Sequence, residues 1–256
     1  MNTLPDAAAL ERVAREVAAE WEIELGEPFA LSRHSFVAPA GDRAVLKLTP
    51  PEDDESDEEA DALAQWDGNG APRLIRRDRE RRAMLIERAL PGADISALPE
   101  DEATAIAVEL GLRLWQSAAE PFRWIGDQLP GWLDEAERSI RPGDPLMPAA
   151  RRAYAALRTG RSTLIHGDFH HHNILDAGAG YLAIDPKPML GEPEFDVPPF
   201  LWNPLDYRMS LDVTERRLAV FASAGLDEGR MRAWTVIRGA YLVADRHERA
   251  LIAALL

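Results

Sequence analysis

Two short polar segments in the second half of the chain contain the residues best suited to chemistry. The first holds Asp168 and Asn173 and follows the mostly apolar run 162–165. The second holds Asp185 and follows the apolar run 181–184. Phosphoryl transfer from ATP requires a base near the acceptor hydroxyl and oxygen ligands for Mg²⁺. These three side chains have suitable chemistry in a suitable order, and the Asp-x4-Asn spacing is typical of a kinase catalytic loop.

The lysines support the same interpretation. Of the 29 basic residues, Lys47 and Lys187 are lysine and all others are arginine. Lys47 lies in the strand-like segment 43–48, and Lys187 lies two positions after Asp185. Because a compact ammonium differs from a guanidinium as a phosphate contact, both lysines are candidates for a chemical requirement.

Composition limits the possible classes of protein. A hydrophobic content of 46% and a charged content of 29% are ordinary for a soluble globular protein, and the absence of cysteine excludes disulfides and thiolate chemistry. No apolar run approaches the roughly 18 residues of a membrane span, and Asp6, Glu11 and Arg12 interrupt any signal-peptide core. We therefore expect a cytoplasmic protein without a membrane partner.

The charge balance bears on the partners. With 44 acidic and 29 basic residues the net charge is −15, which disfavours a nucleic-acid partner. An acidic field would attract cationic small molecules.

Periodicity predicts an α+β fold of two lobes. Residues 1–90 form a strand-rich N-lobe, and residues 91–256 form a mostly helical C-lobe that contains both polar segments. The predicted N-lobe elements are a helix over 5–21, strands over 29–31, 35–38 and 44–48 with a turn over 39–42, and a hairpin of 72–75 with 83–87. The predicted C-lobe helices cover 101–119, 129–140, 148–160, 196–203, 213–224 and 228–254.

Taken together, the motifs resemble the aminoglycoside/hydroxyurea antibiotic resistance kinases, a group that includes streptomycin 6-phosphotransferases. The resemblance rests on the segments 164–175, 184–188 and 85–92, with further matches at 46–47 and 59–66. It implies a protein-kinase-like fold with a small antiparallel-sheet N-lobe, a helical C-lobe and a nucleotide between them. It also implies an ATP- and Mg²⁺-dependent O-phosphotransferase that confers antibiotic resistance.

The resemblance assigns roles by motif. Asp168 would orient or deprotonate the acceptor hydroxyl, and Asn173 and Asp185 would bind Mg²⁺. The segment from Glu87 through Ala89 to Leu90 would be the hinge that offers backbone groups to adenine.

The nucleotide phosphates would be held from the N-lobe. Lys47 would contact the α- and β-phosphates and pair with Glu59, although Glu58 is one position away and stays open as the partner. The loop that would cover the phosphates has no glycine, so the hydroxyls of Ser32 and Ser35 could substitute for backbone contacts.

The acceptor is expected to be a small, hydroxylated and cationic molecule, as streptomycin is. Acidic side chains of the C-lobe would suit its guanidinium groups. The candidates for acceptor contacts are Lys187, Glu192, Glu194, Asp196 and Trp202, with Asp245, Glu248 and Trp234 as further possibilities.

Three alternatives stay open. The same fold also phosphorylates choline, homoserine and sugars, which makes a metabolic kinase the main competitor. A non-catalytic module could keep the fold without turnover. Four of the six histidines, His166 and His170 to His172, could instead indicate a metallohydrolase. However, neighbouring residues of an extended segment point to opposite faces, so the four could not share one metal.

Overall fold

The computed structural model describes residues 7–29, 35–53, 58–139, 144–204 and 209–255. Its class is α+β as predicted, with an antiparallel sheet in the first part of the chain and helices in most of the rest. Contacts divide the chain into two compact units. One groups residues 1–94 with 175–187, and the other groups 95–174 with 188–256.

The elements follow one another in an order that separates most strands from most helices. Up to residue 94 they are α1 (Ala7–Glu20), β1 (Phe36–Ala40), β2 (Ala44–Leu48), α2 (Glu59–Trp66), β3 (Leu74–Asp78) and β4 (Ala83–Glu87). Three helices follow, α3 (Glu100–Leu114), α4 (Ile125–Ser139) and α5 (Leu146–Ala156). Next come the strands β5 (Thr163–Ile165), β6 (Ile174–Asp176), β7 (Tyr181–Ala183) and β8 (Met189–Gly191). The last elements are α6 (Val197–Leu201), α7 (Leu211–Ser223), α8 (Glu228–Leu242) and α9 (Arg246–Ala253).

The first unit is built on a four-stranded sheet in the order β1-β2-β4-β3, and all three pairings are antiparallel. Helix α1 packs on this sheet through an apolar stripe that includes Ala14 and Val17 and is continued by Trp21 just after the helix, as the helical spacing predicts. Leu46 and Leu48 of β2 are fully buried in the same core. Strand β2 pairs with β1 on one edge and with β4 on the other, and this makes it a rigid support for Lys47.

The segment Leu175–Lys187 joins the first unit, which differs from the predicted division into the continuous lobes 1–90 and 91–256. Backbone hydrogen bonds explain the grouping. Asp176 N donates to Ala93 O, Gly92 N donates to Asp176 O, and Ala183 N donates to Gly70 O. The segment that carries Asp185 is therefore attached to the sheet unit.

The second unit is arranged around α8, which packs against α4, α5, α6, α7 and α9. Strand β5 pairs antiparallel with β8, and Leu164 lies opposite Leu190. Since β5 ends at Ile165, the polar segment with Asp168 begins where a buried two-stranded ladder stops.

Some predicted boundaries were wrong. Pro39 belongs to β1 and not to the turn, which an edge strand tolerates because its outer N–H positions need no ladder partner. The predicted turn after Ile75 is still strand as far as Asp78. The predicted helix 228–254 breaks after Leu242, because Asp245 caps α9 by accepting hydrogen bonds from two backbone amides.

Among the residues that the structure describes, no helix has the length and apolarity that crossing a bilayer requires.

Candidate active site

Lys47 lies at the centre of a buried ion-pair network in the first unit. Its Nζ donates to Glu59 Oε1 at 2.8 Å and to Asp185 Oδ1 at 2.5 Å. Strand β2 supplies the lysine and the first turn of α2 supplies the glutamate. Of the two acids that the sequence left open, Glu59 is the one that contacts Lys47 in the structure.

The network is electrostatically unbalanced, since one ammonium serves two carboxylates. Burial opposes the charge of Lys47, but Glu59 and Asp185 outweigh it and raise the pKa of Lys47. Burial raises the pKa of Glu59 to about 7, against the opposing effect of Lys47. Asp185, whose side chain is 54% exposed, also raises the pKa of Glu59, because its carboxylate competes for the same ammonium.

Asp185 is held in a special backbone conformation. Its φ is +55°, in the left-handed region that non-glycine residues adopt infrequently, with Asp and Asn the most tolerant. Asp185 lies two residues after the end of β7 and immediately before Pro186. Lys187, two residues later, is half-buried and belongs to the same unit.

Asp168 and Asn173 meet in the second unit. Asn173 Nδ2 donates to the backbone O of Asp168 at 2.9 Å and lies 3.4 Å from its Oδ2. A short 3₁₀ turn over His171–Asn173 brings the amide back toward the aspartate. Asp168 is 31% exposed at its side chain, which leaves the carboxylate accessible to an acceptor.

The histidines do not converge. His171 is buried and stacks on Phe200 with ring centroids 3.9 Å apart. His170 Nδ1 accepts from His172 N, and its Nε2 lies 3.6 Å from Asp168 Oδ1. Within the described ranges, no three histidine, aspartate or glutamate side chains could together hold a metal ion.

Asp196, a predicted acceptor contact, forms its hydrogen bonds inside the second unit. It is fully buried and accepts three hydrogen bonds, from His166 N at 2.7 Å, Gly167 N at 2.8 Å and Trp115 Nε1 at 2.9 Å. The carboxylate thus fixes the backbone just before Asp168. Trp115 was missed from the sequence, because an isolated tryptophan at the end of a helix carries no chemical signal.

The other predicted acids are also occupied inside the second unit. Glu192 is buried and bonds to the guanidinium of Arg230 and to Trp234 Nε1. Glu194 accepts from Asp227 N, just before α8. These contacts connect the segment after β8 to α8.

The predicted aromatic contacts are mostly part of the core. Trp234 is completely buried, which excludes it as a pocket wall. Trp202 is half-buried and packs against the main core of the second unit. Asp245 caps α9, and Glu248 lies in the first turn of that helix.

The hinge and loop residues are placed as follows. Glu87 ends β4 and its N–H donates to Arg73 O, so this donor is used within the sheet unit. Ala89 is buried two residues later. Ser35 is half-buried just before β1, and Ser32 lies outside the described residues.

Comparisons with known proteins agree over nearly the whole chain. Residues 27–249 match the model of the aminoglycoside/hydroxyurea antibiotic resistance kinases. The chain is 32% identical to streptomycin 6-kinase of Streptomyces glaucescens, over 89% of this chain and 80% of the relative. It is 36% identical to hydroxyurea phosphotransferase of Kitasatospora aureofaciens, over 89% of this chain and 70% of the relative.

A solved structure shows the fold. The choline/ethanolamine kinase family protein from Mesorhizobium loti superposes with a TM-score of 0.66 at 16% identity, covering 96% of this chain and 92% of the other. The fold is thus that of the aminoglycoside phosphotransferases and choline kinases. The chain belongs to the aminoglycoside/hydroxyurea antibiotic resistance kinase family and is a phosphotransferase that acts on a hydroxyl group.

Proposed function

We propose that the protein is an ATP- and Mg²⁺-dependent O-phosphotransferase that inactivates a streptomycin-type aminoglycoside. The observation that carries this proposal is the similarity to a streptomycin 6-kinase across 89% of the chain. The structure adds support because each unit contains a preformed part of the required chemistry. One part is the Lys47–Glu59–Asp185 network and the other is the Asp168–Asn173 loop.

The proposed metal ligands fit Mg²⁺ in their chemistry. Asn173 Nδ2 donates a hydrogen bond to the backbone O of Asp168, and Asn173 Oδ1 accepts no hydrogen bond from the described residues. Asp185 offers a half-exposed carboxylate. Amide and carboxylate oxygens are the ligands that Mg²⁺ prefers, and bound Mg²⁺ would neutralise the charge that develops on the phosphates.

The remaining roles follow from position and charge. Lys47 holds its charge in a buried site, where a cation attracts phosphate oxygens strongly. Glu59 orients Lys47 from α2. Asp168 orients the acceptor hydroxyl and takes its proton. Lys187 is a proposed contact to phosphate or acceptor, and Ala89 to adenine.

A second candidate acceptor is a small neutral hydroxyl compound such as hydroxyurea. Two observations favour it. The identity to the hydroxyurea phosphotransferase is 36%, and the acids predicted to hold guanidinium groups, Glu192, Glu194 and Asp196, are engaged inside the second unit. An acceptor without positive charge would not need them.

The test measures phosphate transfer from ATP with Mg²⁺ to streptomycin, hydroxyurea, choline, homoserine and simple sugars. Wild type is compared with Asp168→Asn, which keeps the size of the side chain and removes the base. We expect transfer to streptomycin, with kcat lowered about 10³-fold or more in the variant while ATP affinity changes little.

The outcomes separate the candidates. Transfer to hydroxyurea alone would retain the enzyme class and replace the acceptor. Transfer only to choline, homoserine or a sugar would contradict both antibiotic acceptors. An Asp168→Asn variant as active as wild type would remove Asp168 from its proposed role.

A further inference from the structure

Arg238 of α8 is a buried arginine that reaches the backbone beside Asp168. It is 4% exposed, and its Nη2 donates to Gly167 O at 2.8 Å. Its Nη1 donates to Phe195 O at 2.9 Å, and the guanidinium lies 4.1 Å above the Phe195 ring. No carboxylate of the described residues lies within ion-pair distance of it. Burying a cation without a carboxylate partner is unfavourable, so the contacts that Arg238 makes instead require an explanation.

Gly167 is the residue that makes such a contact useful. Its φ of +83° is readily adopted by glycine alone. The same freedom would let the peptide between Gly167 and Asp168 rotate at little cost, and such a rotation would redirect the Asp168 side chain. The loop therefore needs an external contact that selects one orientation of this peptide.

The structure holds this peptide at both polar ends. Arg238 binds its carbonyl oxygen, and its N–H, which belongs to Asp168, donates to His166 Nδ1 at 3.3 Å. Asp196 holds the preceding peptide through Gly167 N. Arg238 thus completes the fixation at the one peptide that leads directly to the proposed base, from a helix some 70 residues further along the chain.

We propose that Arg238 is a positioning residue for phosphoryl transfer, which sets the orientation of Asp168 through the Gly167 carbonyl. The inference rests on the proposed role of Asp168 as the base. An arginine suits this function because its planar guanidinium can donate to two carbonyls at once while it stacks on an aromatic ring. A lysine ammonium has neither the fork nor the plane.

A matched control is available in the same unit. Arg249 is also buried, at 9% exposure, and also donates to backbone carbonyls, including Val243 O at 2.7 Å. These carbonyls belong to the end of α8 and not to the loop before Asp168. Arg238→Lys and Arg249→Lys therefore make the same chemical change at two buried sites, and only the first touches the loop. Arg249 also pairs with Asp144, so its replacement should cost at least as much stability.

The experiment compares kcat, the KM for ATP and the melting temperature of both variants with wild type. Both should lose stability. Arg238→Lys should also lower kcat about 10- to 100-fold with the KM for ATP within about threefold, since misplacing a catalytic group by an ångström has effects of this size. Arg249→Lys should keep kcat within about threefold. Guanidinium ion at millimolar concentration should restore part of the kcat of Arg238→Ala and none of that of Arg249→Ala.

The results that overturn the proposal are distinct from those that overturn the function. If Arg238→Lys and Arg249→Lys reduce kcat equally, in proportion to lost folded protein, Arg238 is only structural. If Arg238→Lys does not fold, Arg238→Gln is measured against Arg249→Gln with the same expectation. A fully active Asp168→Asn variant would contradict the role of the base itself, whatever the result at Arg238.

Discussion

Two carboxylates share the buried ammonium of Lys47, and of the two Glu59 is the more deeply buried. Its Oε2 is buried and has no hydrogen-bond partner among the described residues, while its Oε1 accepts from Lys47. An ionised carboxylate is unfavourable when one of its oxygens is buried without a hydrogen-bond donor. The site therefore keeps a proton at Glu59 to a higher pH than an ordinary glutamate does.

This pKa predicts how the stability of the ligand-free protein depends on pH. The folded state holds the proton of Glu59 up to about pH 7, whereas the unfolded state releases it near the ordinary value of 4.5. The contribution of Glu59 to stability is thus fully present below pH 4.5 and is lost as pH rises through 7. Comparing wild type with Glu59→Gln by urea unfolding between pH 5 and 8, we expect an extra decrease of roughly 1–3 kcal/mol in wild type.

The comparison is of slopes, so a change in absolute stability caused by the substitution does not affect it. Identical pH dependence of the two proteins would show that Glu59 is ionised throughout this range and that Lys47 outweighs the effect of burial.

At the same scale, sequence reasoning identified residues whose chemistry is visible in their type and spacing. Lys47 pairs with Glu59, as the resemblance implied, and Asp168 and Asn173 share one loop. The contact of Lys47 with Asp185 was not predicted. Sequence reasoning did not predict the contacts of Asp196 and Glu192, because their partners are backbone amides, an indole and an arginine from distant segments. An acidic residue near a motif in sequence can contact the acceptor or can hydrogen-bond to the loop backbone. The residue type does not distinguish these two roles.

Helix α3 positions Trp115 for its hydrogen bond to Asp196, and a glycine makes the required space. A Cβ added to Gly111 would lie 2.5 Å from the Trp115 ring. Gly131 in α4 is also within a helix, but a Cβ there would have no atom within 4 Å. Substitution by alanine should therefore create a steric clash at Gly111 and none at Gly131.

Gly111→Ala should destabilise the protein by about 1–3 kcal/mol, because Trp115 has to move from its place. Gly131→Ala should stabilise it by about 0.5–1 kcal/mol, because alanine is the better helix former. Thermal unfolding measures both, and Gly111→Ala should also lower kcat through Asp196. Equal stability changes at the two sites would contradict the packing of Trp115.

Element boundaries were predictable where one signal dominated and failed where tertiary contacts decided. The apolar stripe of α1 was sufficient for its prediction. The break between α8 and α9 depends on Arg249, which binds carbonyls at the end of α8, and on its pairing with Asp144. The extension of β3 to Asp78 follows its pairing with β4, and Arg77 of this extension forms an ion pair with Asp61 in α2. Such contacts between distant segments do not appear in local periodicity.

For the whole molecule, the net charge of −15 is the property most relevant to the acceptor. A long-range acidic field accelerates the encounter with a polycation and has no effect on a neutral molecule, and salt screens it. At saturating ATP, raising the ionic strength from about 20 to 300 mM should lower kcat/KM for streptomycin about 3- to 10-fold. The value for hydroxyurea, used as the neutral control, should change less than about twofold. Equal salt effects would show that the field does not guide the acceptor.

The scarcity of lysine gives the molecule an unusual chemical label. Its lysine side chains are those of Lys47 and Lys187, and both are proposed contacts of the phosphates or the acceptor. Lys47 is 5% exposed and kept protonated by its carboxylates, so it is a poor nucleophile, whereas Lys187 is half-buried. An acylating reagent followed by mass spectrometry would therefore report on this site through one or two modified peptides. A substitution of Glu59 would be detected as modification of a second peptide, the one that contains Lys47.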